Sequence, residues 1–127
     1  MKPEIIHPSE ADEYWFREGC HVLEVSNRED DPALSIARAR LAPGRRTRRH
    51  VLDGVTERYL IMAGEGRVTV GDLPPATATA GDVVLIPPGV AQCIENTGTG
   101  DLVFHALCTP RFTPACYRDV EDDTKDG

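Results

Sequence analysis

Short apolar runs separated by turn residues are the dominant pattern along this chain. Turn signals such as Pro43-Gly44, Asp53-Gly54 and Gly81-Asp82 follow one another closely, and no segment sustains the 3.6-residue period of a long helix. The pattern predicts eight strands, at residues 20–26, 33–42, 46–52, 57–62, 66–70, 83–86, 91–95 and 102–108. That many short strands in one small chain are typical of an all-β barrel or sandwich that protects its edges.

Two short helical pieces flank the predicted strands. Ser9 is a candidate N-cap for a helical turn that reaches Phe16, and Pro114 can begin a second turn that reaches Val120. The length of 127 residues predicts a single domain, 1–127, with a barrel core at about 20–109. The acidic segment 119–127 is expected to be a solvated, disordered tail.

Composition and charge narrow the function classes. The net charge of −7 argues against a nucleic-acid partner, because the phosphate backbone would repel the protein. Four arginines in residues 45–49 are the local exception, but strand alternation would point them to opposite faces. No apolar stretch is long enough to cross a bilayer, and the N-terminus lacks the apolar core of an export signal, which predicts a cytoplasmic protein.

The four cysteines, Cys20, Cys93, Cys108 and Cys116, show neither CxxC nor zinc-finger spacing. In a reducing compartment such cysteines are typically small buried apolar side chains, so we expect free thiols.

Two segments carry a recognisable frame of glycine, proline and polar residues. In the first, 44–64, the frame consists of Gly44, His50, Glu57 and Gly64. In the second, 81–96, it consists of Gly81, Pro87, Gly89 and Asn96. In both order and spacing these segments resemble the paired motifs of the cupin superfamily, over residues 33–109. The resemblance implies an all-β, cupin-type double-stranded β-helix (jelly-roll) barrel with short N- and C-terminal helical pieces, and a homodimer.

The same resemblance implies a metal site and also shows where this chain departs from it. In the family, three histidines and the glutamate of these motifs bind a divalent metal inside the barrel. The residues carried over are His50 and Glu57, with Gln92 at a third ligand position, whereas Leu52 stands where another histidine belongs. Such a site would suit iron, manganese, nickel or zinc, although an amide oxygen is a weak ligand.

Strand alternation adds residues to the expected cavity. If His50 and Glu57 face the interior, Arg48 and Tyr59 do so too. The substrate-binding set is then Arg48, Tyr59 and Gln92, and the catalytic set is His50 and Tyr59. Arg48 could bind an anionic oxygen, or it could simply pair with Glu57. The orientations of His105 and His21 stay open, between a ligand and a packed core residue.

Three hypotheses follow for the function, and whether the protein is an enzyme stays open. The first is a metal-dependent enzyme of dioxygenase, isomerase or lyase type that acts on a small oxygenated or carboxylate-bearing molecule. The second is a metal-free enzyme in which His50, oriented by Glu57, acts as general base. The third is a non-catalytic barrel that binds a small molecule.

Overall fold

Eleven β-strands and two 3-10 helices make up the protein, for which a computed structural model describes residues 1–123. The strands are β1 Tyr14–Phe16, β2 Cys20–Ser26, β3 Ser35–Leu41, β4 His50–Leu52, β5 Thr56–Ala63, β6 Glu65–Val70, β7 Ala76–Thr79, β8 Val83–Ile86, β9 Gln92–Asn96, β10 Leu102–Thr109 and β11 Tyr117–Asp119. The helices span Glu10–Asp12 and Pro114–Cys116. None of the helices in this part of the chain is long and apolar enough to cross a bilayer.

The strands form two antiparallel sheets that face each other as a jelly roll, which confirms the predicted fold class. The six-stranded sheet has the order β1-β2-β3-β10-β5-β8, and the five-stranded sheet has the order β11-β4-β9-β6-β7. Alternate side chains of each strand point into the space between the sheets, as a half-buried antiparallel strand requires. Strand β10 lies between β3 and β5, so its inward side chains are at the centre of the six-stranded sheet.

Mostly apolar side chains from both sheets fill this space. The main buried cluster consists of Cys20, Val22, Ala39, Leu41, Tyr59, Ile61, Val68, Ala78, Ile86, Ile94, Leu102 and Phe104. A second cluster, under the 3-10 helix Pro114–Cys116, consists of Leu52, Val55, Cys108, Cys116 and Tyr117.

The glycines of the two motifs shape the turns between strands. Gly44, Gly64, Gly81 and Gly89 all have φ between +74° and +92°, a region that side chains with a Cβ rarely adopt. At Gly64 a Cβ would also lie 2.7 Å from the backbone oxygen of Asp101, so only glycine fits. The motif asparagine is structural as well: Asn96 Nδ2 donates to the carbonyls of Leu41 and Gly100, each at 2.8 Å.

The flanking segments differ in detail from the expectation. Ser9 does cap a 3-10 turn, since its hydroxyl accepts from the Ala11 N–H, but the turn ends at Asp12 and Tyr14–Phe16 adds a strand to β2. Pro114 likewise begins only a single turn, after which Tyr117–Asp119 pairs with β4. The third strand that the apolar pattern missed is Ala76–Thr79, whose Ala and Thr residues carry little hydrophobic signal.

Part of the acidic segment is held against the barrel by ion pairs. Arg46 pairs with Glu121, and Arg48 pairs with both Asp119 and Asp123. The expectation of a solvated tail is therefore wrong for Asp119, Glu121 and Asp123, because their carboxylates pair with arginines of the barrel. The expectation of disorder for the rest of the tail concerns residues 124–127, which lie outside the described residues.

Candidate active site

His50 is the first residue of β4 and is only 2% exposed. Its Nδ1 lies 2.7 Å from the carbonyl oxygen of Arg48, and because a carbonyl can only accept, this contact places a proton on Nδ1. The other ring nitrogen, Nε2, lies 3.4 Å from a carboxylate oxygen of Glu18. The imidazole also stacks on the ring of Tyr117, with centroids 5.1 Å apart. His50 is therefore locked in place, with its reactive edge turned to Glu18.

A hydrogen-bonded chain of three side chains connects the two sheets beside His50. Glu57 and Tyr59 alternate along β5, so both point inward, and Gln92 comes from β9 in the opposite sheet. The Tyr59 hydroxyl donates to Gln92 Oε1, and Gln92 Nε2 donates to Glu57 Oε1 at 2.8 Å. The thiol of Cys108 donates to the other oxygen of Glu57 at 3.7 Å. Both oxygens of this buried carboxyl thus have a partner.

Glu18 is a site residue that the sequence interpretation missed. It lies in the turn between β1 and β2, just before Gly19, and its side chain is 16% exposed. Besides facing His50, its carboxyl group accepts from the Cys20 thiol. No motif marks the position, because Glu18 reaches the barrel interior only through the β1 strand that the apolar pattern did not predict.

These groups border a cavity on the inner face of the six-stranded sheet. Its volume is about 50 Å³, enough for a few water molecules or a small ligand group. Glu18, Glu24, Ser35, Glu57 and Tyr59 form its polar part. The remaining wall consists of aromatic and small apolar side chains: Tyr14, Phe16, Val22, Ala37, Ala39, Phe104, Ala106, Cys108 and Phe112.

Burial changes the acidity of the two cavity carboxyls. The pKa of Glu57 is raised from 4.5 to about 7, first by burial and then by the nearby Glu18, against the opposing effects of His50, Gln92 and Cys108. Burial likewise raises the pKa of Glu18 to about 7. The pKa of Tyr59 lies well above its ordinary value, first because of burial and then because of Glu57. Near neutral pH the carboxyls can therefore each hold or release a proton, while the tyrosine keeps its own.

Arg48 does not line the cavity, and that expectation is corrected here. Regular strand geometry begins only at His50, so alternation does not extend back to position 48. The Arg48 side chain lies on the outside, where its Nε donates to Asp119 at 2.5 Å and its NH2 group donates to Asp123. The alternative that Arg48 pairs with Glu57 is wrong for the same reason.

The two other histidines that the sequence left open both point away from the cavity. His105 alternates on β10 with Phe104 and Ala106, which line the cavity, so it belongs to the opposite face of the sheet. His21 alternates with Val22 in the same way, and its ring contacts Trp15 at 5.1 Å on the outside.

The family-implied metal ligands do not fit a divalent metal as they are arranged. A metal requires that imidazole, carboxylate and amide oxygen turn lone pairs to one point. Here the Gln92 oxygen accepts from Tyr59 and its N–H faces Glu57, so the amide offers no lone pair beside the carboxylate. Leu52 has no donor atom. Within residues 1–123 no group of three or more His, Cys, Asp or Glu side chains is placed to hold a metal ion.

Comparison with protein families supports the resemblance noted in the two motifs. A family model described as a cupin domain matches residues 37–109, which include the motif residues His50 and Glu57. An oxalate-binding protein from Thermotoga maritima is 39% identical over 90 residues, which cover 71% of this chain and 73% of that protein.

Solved structures share the barrel as a whole. A protein from Thermotoga maritima described as a predicted oxalate decarboxylase superposes with a TM-score of 0.74 at 27% identity, over 84% of this chain and 99% of its own. The nucleoside dehydratase Pac13 of Streptomyces superposes with a TM-score of 0.75 at 15% identity, over 93% and 92% of the two chains. At that identity the second likeness shows the fold alone.

Proposed function

Since this chain belongs to the cupin family, we propose that its barrel binds a small oxygenated molecule and acts on it by proton transfer without a metal. The observation that carries the proposal is a pair of carboxyls, those of the buried Glu57 and the half-buried Glu18, which share one cavity with the Tyr59 hydroxyl. A cavity with mostly apolar walls and a few convergent polar groups is the usual form of a small-molecule site.

The two carboxyls have the acidity that general acid–base catalysis needs. A group is most effective when its pKa is near the working pH, and burial brings Glu18 and Glu57 to about 7. Two neighbouring carboxyls do not both ionise readily, so near neutral pH one can donate a proton while the other accepts one. This arrangement suits removal of a proton next to a carbonyl group, with return of a proton elsewhere, as in isomerisation or dehydration.

Glu57, Glu18 and Tyr59 are the catalytic residues of this proposal, because they line the cavity. Gln92 is a positioning residue: it accepts from Tyr59 and donates to Glu57, which fixes both relative to each other. His50, the expected general base, does not line the cavity and acts on it through Glu18. Its Nδ1–H bond to the Arg48 carbonyl keeps Nε2 facing that carboxyl.

The chemistry of the cavity limits its ligand. No lysine or arginine is among the lining residues, whereas three carboxyls are, those of Glu18, Glu24 and Glu57, so the part of a ligand that enters is an uncharged hydroxyl or carbonyl group. Similarity to an oxalate-binding protein supports a small, oxygen-rich ligand that also bears a carboxylate. We also propose a cytoplasmic protein, since its four buried free thiols suit a reducing compartment.

The proposal is tested with pyruvate and glycolate as probes, observed by proton NMR in deuterated buffer. Pyruvate should show saturable binding and exchange its methyl protons for deuterium, because that exchange needs a base next to the carbonyl. Glu57→Gln should still bind but should lose the exchange. Ala106→Ile, which fills the cavity, should abolish binding, whereas Thr77→Ile on the exposed face of β7 should not.

Each part of the proposal can fail separately. Binding that survives Ala106→Ile would place the ligand elsewhere and end the proposal. Saturable binding with no exchange in the wild type would leave a non-catalytic binding barrel, the third hypothesis from the sequence.

A further inference from the structure

The floor of the cavity is a row of four side chains that crosses the six-stranded sheet. Glu24 of β2 lies opposite Ala37 of β3. Ala106 of β10 lies between Ala37 on one side and Tyr59 of β5 on the other, and all four side chains line the cavity. Neighbouring strands lie about 4.8 Å apart, so three steps separate the backbones of Glu24 and Tyr59 by about 14 Å. Two small side chains thus lie between two polar ones.

The two alanines leave space above this row. Strands β3 and β10 are inner strands of the sheet, where an inward side chain is normally buried under the opposite sheet. Ala37 and Ala106 are nevertheless only half-buried, whereas Ala39 and Phe104 on the same strands are fully buried. The space above the alanines is therefore accessible, and it forms a trough that leads from the catalytic groups to the rim of the cavity.

Glu24 is the polar group at the outer end of the trough. It is half-buried, and among the described residues it has one hydrogen-bond partner, Tyr14, whose hydroxyl donates to Glu24 Oε1 at 3.2 Å. The pKa of Tyr14 is raised to about 12, first by burial and then by the charge of Glu24, so the tyrosine keeps its proton and remains a donor. The second carboxylate oxygen, Oε2, can therefore accept a hydrogen bond from a ligand.

A carboxylate oxygen can only accept, so the ligand group that meets it must be a donor, and in an oxygen-rich ligand that donor is a hydroxyl. We propose that Glu24 determines the specificity of the cavity by accepting a hydrogen bond from a hydroxyl at the far end of a ligand whose carbonyl group lies at Glu57 and Tyr59. A carboxylate at that far end is disfavoured, because among the described residues that line the cavity no lysine or arginine separates it from the Glu24 charge.

The inference rests on the proposed function and narrows its substrate class. The preferred substrates are hydroxy-carbonyl compounds that are long enough to span the trough, and any carboxylate that they bear points away from Glu24. A molecule as short as pyruvate occupies the inner end of the trough only.

Two matched ketones, acetopropyl alcohol and levulinate, test this specificity, with dissociation constants measured by NMR titration. They share one carbon skeleton and one methyl ketone, and they differ only at the far end, which is a hydroxyl in the first and a carboxylate in the second. The wild type should bind the alcohol at least about ten-fold more tightly than levulinate. Glu24→Gln should lower this ratio about ten-fold, since it removes both the charged acceptor and the repulsion. Glu65→Gln, the same change at an exposed position of β6, should leave the ratio unchanged.

A second variant separates the charge of Glu24 from its packing. Glu24→Asp keeps the charge and withdraws it from the trough by one carbon. It should therefore bind the alcohol several-fold more weakly than the wild type while it still disfavours levulinate. Loss of the preference in Glu24→Asp as well as in Glu24→Gln would mean that the shape of the side chain, not its charge, matters, and would overturn the inference.

The remaining outcomes separate this specificity from the proposed function. A wild type that binds levulinate as tightly as the alcohol would overturn the role of Glu24, and so would an unchanged ratio in Glu24→Gln. If Ala106→Ile still abolishes pyruvate binding in either case, the cavity proposal stands. If pyruvate binds but neither longer ketone does, the trough is not a binding site and only this inference falls. If none of the three binds, the inference falls together with the proposed function.

Discussion

Glu57 is a carboxyl group that the fold keeps away from water at a cost in free energy. Its side chain is buried between the sheets, and no arginine or lysine is among the residues that line its cavity. Bonds from Gln92 and Cys108 satisfy its oxygens without supplying a full positive charge. The carboxyl therefore holds its proton to a higher pH than a carboxyl in water, and the stability of the protein depends on that proton.

This dependence predicts how stability changes with pH. The pKa of Glu57 rises from 4.5 in the unfolded chain to about 7 in the folded protein, so the folded state binds more protons between those values. The contribution is fully present below pH 4.5 and is lost as pH rises through 7, a change of about 3 kcal/mol. Glu57→Gln should remove about half of the slope in urea unfolding at pH 4.5 to 7.5, because Glu18, whose pKa is also raised to about 7, contributes over the same range. Glu65→Gln, an exposed control, should retain it; an unchanged slope in Glu57→Gln would contradict the prediction.

The orientation of Gln92 gives a prediction for metal content. Its amide is hydrogen-bonded to Tyr59 and Glu57 and is therefore not turned to bind a metal. We expect protein purified without added metal or chelating resin to contain far less than one equivalent of iron, manganese, nickel or zinc. Elemental analysis beside His50→Ala and Gln92→Ala checks this. About one metal per chain in the wild type, lost in both variants, would restore the metal-dependent hypothesis and require the amide to turn around.

At the scale of elements, β11 explains the run of arginines that the sequence left without a role. This strand pairs with β4, so that Asp119 lies opposite His50 and the Tyr117 ring covers the imidazole. Arg46 and Arg48 then hold the following acidic residues, and the Val120 N–H donates to the Arg49 carbonyl at 2.9 Å. The arginines thus fasten the segment that shields His50 from solvent.

Weakening this fastening should open the segment locally. In Arg48→Gln, which removes the ion pairs to Asp119 and Asp123, we expect several-fold faster hydrogen exchange at the Val120 amide. Added salt should speed exchange in the wild type, since exposed ion pairs are screened, and should have little effect in the variant. Exchange is followed by NMR with Arg67→Gln as control. Equal rates in all three proteins would show that backbone pairing alone holds β11.

The sequence predicted the central strands well and the flanking ones poorly, for a physical reason. Strands such as Val83–Ile86 contain enough apolar side chains to be predicted from the sequence pattern. In contrast, Tyr14–Phe16 and Tyr117–Asp119 are only three residues long, and they are strands because each pairs with a neighbouring strand. The two motifs predicted that Glu57 and Gln92 lie inside the barrel, and both side chains are buried there. Glu18 and Tyr117 escaped because both reach the site through those short strands, and Arg48 was misplaced because alternation was extended past the start of β4.

At the scale of the whole molecule, the six-stranded sheet ends in a strand with exposed apolar side chains, β8. Strand β8 ends this sheet, and its side chains Val83 and Leu85 are 62% and 59% exposed. An edge strand with free backbone groups and exposed apolar side chains is a site where a second copy can add to the sheet.

We therefore expect a homodimer that pairs through β8. Light scattering after size-exclusion chromatography should give twice the chain mass for the wild type, and Leu85→Lys should give the mass of one chain because the charge cannot be buried at the interface. Thr77→Lys on the edge of the other sheet is the control. A wild type that remains monomeric at high concentration would exclude this dimer.

The central position of β10 in its sheet also constrains the order in which the strands can pair during folding. Strand β10 pairs with β3 on one side and with β5 on the other, and both of these strands come much earlier in the sequence. Until it is inserted, β3 and β5 each present an unpaired edge, and their pairing must wait for the closure of long loops. Folding should therefore be slow and prone to intermolecular association in its early stages. Because Phe104, Ala106 and Cys108 of this strand form one wall of the cavity, a chain caught before β10 docks has no binding site at all.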